Sequence, residues 1–258
     1  MASYNPMNLC DRRVLVTGAS SGIGRACAVC AARLGASLIL TGRRLDALEE
    51  TRTMLEGDGA RHLVFEGDLS DSDFVQALPR QILEAAGPLD GFVHAAGIGP
   101  AMPISVVAEN LIEASLKVNY KAFLLLMKAF SGKAFVNRGF SSVAVSSVSA
   151  EIGWAGGSVY AGSKGALSAA VRALAIELAP KGMRVNAVCP GYVKTPFFDR
   201  VAGAGLDGSE GVARLVAQQP LGLGEPDQVA SAVCFLLSEA ASLITGVNLP
   251  VDGGFLAK

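Results

Sequence analysis

Positive and negative charges nearly cancel in this sequence, and long apolar runs are absent. The chain has 22 lysines and arginines against 23 aspartates and glutamates, so its formal net charge is −1. Nucleic acids and anionic membranes attract fields of positive charge, so we expect neither as a partner. Residues 122–127, one of the longest apolar runs, are far too few to span a bilayer. The N-terminus has no basic-then-apolar leader, so we expect a cytoplasmic protein.

Cysteine clusters of the kind that bind metals are also missing. The five cysteines include one pair at C-x-x-C spacing, Cys27 and Cys30, but no cluster of histidines or further cysteines accompanies it. Both residues fall in an apolar helical pattern. We therefore interpret them as buried thiols rather than as metal ligands or a redox pair, and we expect no metal site.

The composition predicts one domain over residues 1–258. Hydrophobic residues make up 51% of the chain, which is enough to bury a substantial core. Strand and helix patterns alternate along the sequence, as in βαβ units, and this favours a Rossmann-like, doubly wound parallel sheet with helices on both faces. The predicted strands are 13–17, 37–41, 62–66, 91–94, 142–147, 185–189 and 244–251. The predicted helices include 25–34, 44–55, 70–86, 109–130 and 160–180.

A glycine-rich loop joins the first strand to the first helix. It has the pattern T-G-x-x-x-G-x-G, in which Gly18 lets the chain turn, Gly22 lets the backbone approach a pyrophosphate, and Gly24 lets helix and strand pack closely. A simple tight turn is the alternative. The position of the loop, after a strand and before a helix N-terminus, favours nucleotide binding.

Two arginines follow the second strand. Dinucleotide sites that bind NAD place an acidic residue at this point, whereas an arginine accommodates the 2′-phosphate of NADP. Here Gly42 is followed by Arg43 and Arg44, so the sequence predicts NADP(H) over NAD(H), with two solvated loop arginines as the alternative.

An aspartate follows the third strand. Asp68 could meet the adenine amino group, or it could cap the helix at residues 70–86, which we expect Pro79 to interrupt.

The turn after the fourth strand is made of small residues. Ala95, Ala96 and Gly97 would let the backbone pass close to a ribose or nicotinamide. His94, where the strand meets this turn, is interpreted as a structural histidine. Asn119 breaks the apolar pattern of the helix at 109–130, so it marks either a site or an exposed polar face.

Tyr160 and Lys164 are four residues apart in a helical pattern and should share a face. A positive charge ~4 Å from the phenol at an effective dielectric of ~20 is worth ~4 kcal/mol, which matches a phenol pKa shift of about three units. Such a tyrosine could act as a base near neutral pH. For these two residues alone, an ordinary surface pair is the competing interpretation.

Together these motifs resemble the classical short-chain dehydrogenase/reductase family. The loop from Thr17 to Gly24 matches its cofactor loop, and Tyr160 and Lys164 match its Tyr-x-x-x-Lys motif. Ser147 stands thirteen residues before the tyrosine, as the family's catalytic serine does. Further matches, in the family's order, are Asn119, Pro190-Gly191 and Val251-Asp252-Gly253-Gly254. One departure is His94-Ala95, where the family has two asparagines.

The resemblance implies about seven strands in the order 3-2-1-4-5-6-7, a homotetramer, and a substrate lid at about residues 195–222. It also implies a role for each catalytic residue. Tyr160 is the general acid/base, Lys164 lowers its pKa, Ser147 orients the substrate oxygen, and Asn119 supports a proton relay. Ser146 competes with Ser147 for the serine role. The residues expected at the cofactor are Gly18, Ser20, Ser21, Gly22, Ile23, Gly24, Arg43, Arg44, Asp68, Leu69, Ala95, Ala96, Gly97, Tyr160, Lys164, Pro190, Gly191, Val193 and Thr195.

The expected substrate is a small, free and largely apolar ketone or secondary alcohol. The residues predicted to contact it are Ser147, Ser149, Trp154 and Tyr192, in an apolar pocket with Ile98, Pro100, Ile152, Phe197 and Phe198. A 3-oxoacyl-carrier-protein reductase is the main alternative. Reductases of that kind resemble one another in two carrier-binding arginines, and the matching positions here are Arg138 and Ile176, so half of the signature is missing. Two more classes of protein stay open, a catalytically silent nucleotide-sensing scaffold and an extended-type epimerase or dehydratase.

Overall fold

The computed structural model describes residues 5–56, 62–205 and 208–257, and a seven-stranded parallel sheet lies at its centre. The strands are β1 (Arg13–Thr17), β2 (Ser37–Gly42), β3 (Leu63–Glu66), β4 (Leu89–His94), β5 (Val136–Val145), β6 (Arg184–Pro190) and β7 (Asn248–Val251). They lie in the order β3-β2-β1-β4-β5-β6-β7, and each neighbouring pair is parallel. The order implied by the family resemblance is confirmed.

Helices cover both faces of this sheet. They are α1 (Gly22–Arg33), α2 (Leu45–Thr53), α3 (Ser72–Ala86), α4 (Glu109–Leu116), α5 (Ala122–Phe130), α6 (Ser158–Leu178), α7 (Pro196–Gly205), α8 (Gly208–Val216) and α9 (Pro226–Leu237). Successive side chains of a strand point to opposite faces, so Val14 and Val16 pack with α1 and α9 while Leu15 packs with α3, α5 and α6. The two apolar layers confirm the doubly wound class. No helix among the described residues is both long and apolar enough to cross a membrane.

For α3, the capping alternative for Asp68 and the expected interruption at Pro79 are both wrong. Asp71, not Asp68, caps its N-terminus, because the Asp71 side chain accepts the N–H groups of Asp73 and Phe74. The Asp68 carboxylate instead accepts the N–H of Ser70 at 2.8 Å, inside the preceding turn. The helix also continues through Pro79. That ring is buried in the layer between α3 and the sheet, and its burial offsets the backbone hydrogen bond that proline cannot donate.

The last strand is shorter than expected. Residues 244–247 lie outside the strand, and β7 begins only at Asn248. The Asn186 side chain explains this, because its amide donates to the Ile244 carbonyl at 2.9 Å and its oxygen accepts the Val247 N–H at 3.1 Å. Backbone groups pair here as well, because the Gly246 N–H donates to the Val185 carbonyl and the Ala187 N–H donates to the Val247 carbonyl, each at 2.8 Å. The segment therefore stays beside β6 without being part of the regular strand.

The C-x-x-C pair lies on α1. Cys27 is buried, as expected, but Cys30 is only partly buried because it lies at the edge of the contact with α9. There its thiol hydrogen-bonds to Cys234, which lowers the pKa of Cys30 to about 7. The expectation of two fully buried thiols is therefore wrong for Cys30.

Candidate functional site

The carboxyl ends of four central strands meet at one edge of the sheet. The segments that follow β1, β4, β5 and β6 begin at Gly18, Ala95, Ser146 and Gly191. In doubly wound sheets, ligands bind in the crevice formed by such segments. The motifs that are scattered over the sequence are therefore brought together at a single edge.

Three glycines of the first loop are required by space or by backbone conformation. Gly18 has φ +67°, and a Cβ there would lie 2.7 Å from the backbone of Ala96. A Cβ on Gly24 would overlap the carbonyl group of Gly18. Gly22 has φ +54°, and its Cβ would lie 3.2 Å from the Cγ2 atom of Thr195. The loop thus packs tightly against the segments that follow β4 and β6.

The N-terminus of α1 fits a pyrophosphate. Ser21 precedes the helix in an extended conformation, and its hydroxyl makes no capping hydrogen bond. The first turn contains no acidic residue. Uncapped N–H groups at a helix N-terminus carry partial positive charge and bind phosphate, so Ser20, Ser21 and Ile23 flank a suitable site for a dinucleotide.

Arg43 and Asp68 lie beside each other after β2 and β3. The Arg43 side chain is 69% exposed, and its Nη1 atom is 4.0 Å from the Asp68 carboxylate. A Cβ on Gly42 would lie 3.8 Å from the Ser20 hydroxyl, which places the end of β2 next to the glycine loop. Arg44 is exposed and precedes α2. Leu69, in contrast, has its side chain in the core, so only its backbone is available to a cofactor.

Asn119 is buried in a π-helical turn, Lys117–Lys121, which joins α4 to α5 in place of the continuous α-helix that was expected. Its Oδ1 accepts the Ile98 N–H at 2.9 Å, and its Nδ2 donates to the Ile98 carbonyl at 2.8 Å and to Ser163 Oγ at 2.9 Å. π-Turns are frequent at functional sites. The alternative of an exposed amide is wrong, because Asn119 fixes the segment that follows Gly97.

His94 is a structural histidine, as expected. Its Nδ1 atom is 3.1 Å from the Thr17 hydroxyl, and its Nε2 atom is 3.2 Å from the Val118 carbonyl oxygen. Burial, together with the positive charge of Lys164, lowers the pKa of His94 to about 3. The ring is therefore neutral at physiological pH and joins β1, β4 and the turn that holds Asn119.

The two serines after β5 have different environments. The Ser146 hydroxyl is 2.7 Å from Ser168 Oγ and donates to the Lys164 carbonyl at 3.2 Å, so it joins β5 to α6. The Ser147 hydroxyl accepts the Ser149 N–H at 3.1 Å and lies close enough to the Tyr160 phenol to lower its pKa. Only Ser147 meets the tyrosine, and this geometry favours Ser147 over Ser146.

Tyr160 and Lys164 share a face of α6. The Lys164 Nζ atom lies 5.9 Å from the centre of the Tyr160 ring and donates to the Val145 carbonyl at 2.7 Å. Burial raises the pKa of Tyr160 to about 12, and the hydrogen bond to Ser147 offsets only part of this rise. Burial also lowers the pKa of Lys164 to about 8. The expected lowering of the tyrosine pKa is not found in this structure, because desolvation of the phenolate outweighs the other effects.

Gln219 holds the turn after β6, and no sequence motif pointed to it. Its Oε1 accepts the Tyr192 N–H at 2.8 Å, and its Nε2 donates to the carbonyl oxygens of Tyr192 at 3.1 Å and Gly222 at 2.6 Å. A Cβ on Gly191 would overlap this side chain. Nothing in the local pattern distinguishes Gln219 from Gln218, so only the fold identifies it.

Thr195 fixes the start of α7. Its hydroxyl donates to the Val193 carbonyl at 3.1 Å and accepts the Phe198 N–H at 3.1 Å, while Pro196 occupies the first helical position. Val193 is held in turn by a β-bridge to Gly224. The direction in which the chain leaves the site after Pro190 is therefore well defined.

The expected substrate pocket is partly assembled. The Trp154 indole donates to Ser149 Oγ at 3.2 Å, on the segment that follows Ser147. The Met102 N–H donates to the Gly156 carbonyl at 3.0 Å, which joins the segments after β4 and β5. Ile98, Pro100 and Ile152 are partly buried on these two segments.

The aromatic residues after β6 divide into two groups. The Phe197 ring lies against Tyr160, with centroids 5.7 Å apart. Phe198 is buried and packs on Tyr192, and Tyr192 also meets Phe255 edge-on at 5.6 Å. Phe198 therefore packs in the protein interior, and only Phe197 contacts Tyr160. Within the expected lid, residues 206 and 207 and the side chains of residues 201–209 lie outside the described part of the chain.

A cavity of about 400 Å³ lies beside the first turn of α1. Ser21, Gly22, Lys194 and Pro196 contribute to its walls, but none of the residues around Tyr160 does. The cavity thus adjoins the glycine loop, and its lining gives no reason to place a substrate there.

Comparison with known proteins gives a consistent result. Residues 18–256 match a family model described as enoyl-(acyl carrier protein) reductase. The chain is 37% identical to cis-4-hydroxycyclohexanecarboxylate dehydrogenase of Sinomonas cyclohexanicum, over 96% of this chain and 97% of that protein. Among solved structures, a Sinorhizobium meliloti protein described as a candidate short-chain alcohol dehydrogenase has a TM-score of 0.90 and 33% identity, covering 98% and 100% of the two chains. A Beutenbergia cavernae protein, solved with bound NADP at low occupancy, has a TM-score of 0.88 and 33% identity, with the same coverage.

Proposed function

Because the chain belongs to the classical short-chain dehydrogenase/reductase family, we propose that it is an NADP(H)-dependent oxidoreductase that interconverts a ketone and a secondary alcohol. The observation that carries the proposal is the placement of Tyr160 and Lys164 on one face of α6, with Ser147 next to the phenol, at the sheet edge where the glycine loop lies. Dehydrogenases that act on CH–OH groups are prominent among the similar proteins, and the name of one of them, L-rhamnose 1-dehydrogenase, gives NAD(P)⁺ as its cofactor.

Hydride is the chemistry that a bound nicotinamide cofactor supplies. The residues of this chain orient the substrate oxygen and exchange a proton with it. Ser147 orients the substrate oxygen, and Tyr160 gives it a proton in reduction and takes one back in oxidation. A phenol with a pKa of about 12 is protonated at neutral pH and can donate. Lys164, with a pKa of about 8, is positively charged at neutral pH and stabilises negative charge that develops on the phenol oxygen.

Asn119 acts through the backbone. By holding both polar groups of Ile98, it fixes the segment after β4 next to Lys164, and a Cβ on Gly97 would lie 3.3 Å from both Asn119 Oδ1 and Lys164 Nζ. We propose that Asn119 supports a proton relay and does not contact the substrate directly.

The preference for NADP(H) rests on the residues after β2. Gly42 has no carboxylate that would repel a 2′-phosphate, and the exposed guanidinium of Arg43 is available to receive one, with Arg44 and the Ser20 hydroxyl nearby. The similar protein from Beutenbergia cavernae, described as NAD(P)-dependent, was solved with NADP, so a protein of this fold can hold the 2′-phosphate.

The substrate is proposed to be a free and largely apolar carbonyl compound. The segments around Tyr160 carry Trp154 and Phe197, and the similar dehydrogenase from Sinomonas cyclohexanicum is named for a cyclic alcohol that also carries a carboxylate. A carrier-bound substrate is less favoured, because the second expected carrier-binding position is Ile176, an apolar side chain that is 77% exposed on α6.

A substrate panel tests this proposal. Cyclic, aromatic and aliphatic ketones are compared with acetoacetyl- and crotonyl-carrier-protein substrates, each with NADPH and with NADH. We expect the highest kcat/KM with a free ketone and NADPH. A clear preference for either carrier-bound substrate would contradict the proposal, and absence of turnover with every substrate would favour a nucleotide-sensing scaffold.

We also propose that the protein is a homotetramer. The apolar residues of α9 pack against α1 inside the subunit, so they are not available to a partner. Other apolar side chains remain exposed, among them Leu243, which is 98% exposed just before β7, and Ile176 on α6. Partner subunits that cover β7 and α6 would remove these side chains from water.

A further inference from the structure

Phe197 packs directly on the proposed catalytic tyrosine. The centroids of the Phe197 and Tyr160 rings are 5.7 Å apart, and the ring planes are inclined by 39°. Phe197 is only partly buried. Under the proposed function, its ring therefore lies beside the position that a substrate carbonyl must take to reach both the phenol and Ser147.

Gly99 provides the room that Phe197 needs. A Cβ on Gly99 would overlap the Phe197 ring and would lie 3.1 Å from Cδ2 of Tyr160. Gly99 is not among the glycines with positive φ, so an alanine could adopt its backbone conformation. The requirement for glycine here is one of space. Gly99, Tyr160 and Phe197 are thus mutually packed, although they come from three separate segments of the chain.

The position of Phe197 is fixed from its own side as well. Thr195 caps the first turn of α7, and the Lys194 N–H donates to the Gly224 carbonyl at 2.8 Å. The neighbouring Phe198 is buried against Tyr192 and does not meet Tyr160 in this way. Two adjacent phenylalanines on one helical turn therefore have different surroundings, and the second is a natural control for the first.

We infer that Phe197 is a specificity-determining residue, held in place by the space at Gly99, that limits the ketone to one small substituent on the side facing Gly99. This inference rests on the proposed function and deepens it. The favoured substrates are methyl ketones and unsubstituted cyclic ketones, because a branched group on that side meets the Phe197 ring. Removal of the ring admits bulkier ketones.

The test compares acetophenone with isobutyrophenone, whose second substituent is branched, using NADPH and the full-length protein. In Phe197→Ala we expect the ratio of kcat/KM for isobutyrophenone over acetophenone to rise at least tenfold. In an apolar pocket, one extra or missing methylene group on the substrate changes kcat/KM by about 10–200-fold. In Phe198→Leu the ratio should stay within threefold of the wild-type ratio. An unchanged ratio in Phe197→Ala would overturn the inference.

A double-mutant cycle tests the role of Gly99. Gly99→Ala should lower kcat/KM for acetophenone about tenfold in the wild-type background, because the new methyl group displaces Phe197. In the Phe197→Ala background the same change should cost less than threefold. Equal losses in both backgrounds would show that Gly99 acts independently of Phe197 and would overturn the inference.

The same double-mutant cycle can be measured without enzyme activity, from the melting temperatures of the wild type, the two single variants and the double variant. The destabilisation by Gly99→Ala should shrink when Phe197 is absent, and additive shifts would count against the packing of these two residues. If the wild type turned over no ketone at all, the proposed function would fail and the specificity role with it. Turnover with an unchanged substrate ratio would reject the role of Phe197 alone.

Discussion

The side chain of Gln219 pairs with both backbone polar groups of Tyr192, accepting its N–H at 2.8 Å and donating to its carbonyl oxygen at 3.1 Å. The amide thus takes the place of a neighbouring strand beyond the end of β6. The same segment continues to Thr195 and Phe197 in the candidate site. The buried Gln219 side chain therefore helps to fix the position of the Phe197 ring beside Tyr160.

Gln219→Leu should therefore destabilise the protein. It leaves the N–H and carbonyl of Tyr192 and the carbonyl of Gly222 without this partner, at about 3 kcal/mol in total if each costs about 1 kcal/mol. For a chain of this size, that corresponds to a fall in Tm of roughly 6–12 °C. Thermal denaturation measures the fall, with Gln218→Leu on the exposed neighbouring position as the control. Equal melting temperatures for the two variants would contradict the role of Gln219.

Tyr160→Phe should remove the proton donor while leaving the ring in place. We expect kcat for ketone reduction to fall by several orders of magnitude, because general acid catalysis contributes about 10²–10⁴-fold. The Kd for NADPH, measured by quenching of protein fluorescence, should change less than threefold. Turnover within tenfold of the wild-type value would rule out Tyr160 as the acid.

Arg43→Ala should weaken the use of NADPH much more than the use of NADH. Loss of a hydrogen bond to a charged group costs about 1.5–3 kcal/mol, so the KM for NADPH should rise about 10–100-fold while the KM for NADH changes little. Arg52→Ala is the control, because Arg52 lies on α2 in the same region but is partly buried and pairs with Glu49. If Arg43→Ala raised both KM values equally, Arg43 would be only a solvated loop residue.

His94→Asn should weaken the dependence of stability on acid pH. The folded protein holds the pKa of His94 at about 3, below its ordinary value of 6.5. The unfolded chain therefore binds the extra proton first as the pH falls, and the stability is present above about pH 6.5 and lost toward pH 3. Between pH 7 and pH 5 this loss is about 2 kcal/mol for a fully buried group.

Urea unfolding at pH 7 and pH 5 measures this effect. The wild type should lose about 2 kcal/mol more than the His94→Asn variant between the two pH values. The family resemblance places asparagine at this position, so the substitution suits the fold. Identical pH dependence in the two proteins would show that His94 does not titrate on unfolding in this range.

Leu243→Glu should weaken the proposed tetramer. A carboxylate in place of this exposed side chain cannot be buried against a partner without a large desolvation cost. Sedimentation velocity at micromolar concentration should show tetramer for the wild type and smaller species for the variant. Met54→Glu, which changes an exposed apolar residue beyond α2, is the control. A wild type that sediments only as a monomer would contradict the assembly.

Much of the fold could be predicted because strand and helix signals are local. The β-branched run of β1 and the glycines after it identify a βα unit without any tertiary information. The strand order came from the family resemblance. The errors have tertiary causes: the Asn186 side chain shortens β7, and burial of Pro79 keeps α3 continuous.

The sequence predicted which residues form the site, but not how deeply they are buried or what surrounds them. Spacing places Tyr160 and Lys164 on one face, yet it carries no information on burial, and burial dominates both pKa values. For the same reason the sequence could not separate Phe197 from Phe198. It could not identify Gln219, whose partners are two backbone segments that only the fold brings together.

The strand order also affects how the chain behaves while it is being made. β1 lies between β2 and β4, but β4 begins at Leu89, so one edge of β1 stays open until the ribosome has delivered that strand. At about 5–20 residues per second, the wait lasts roughly 4–14 s. During that time an apolar, β-branched strand offers unpaired N–H and carbonyl groups to any neighbouring nascent chain. We therefore expect the nascent chain that has β1 to β3 but not yet β4, about the first third of the protein, to need chaperone protection.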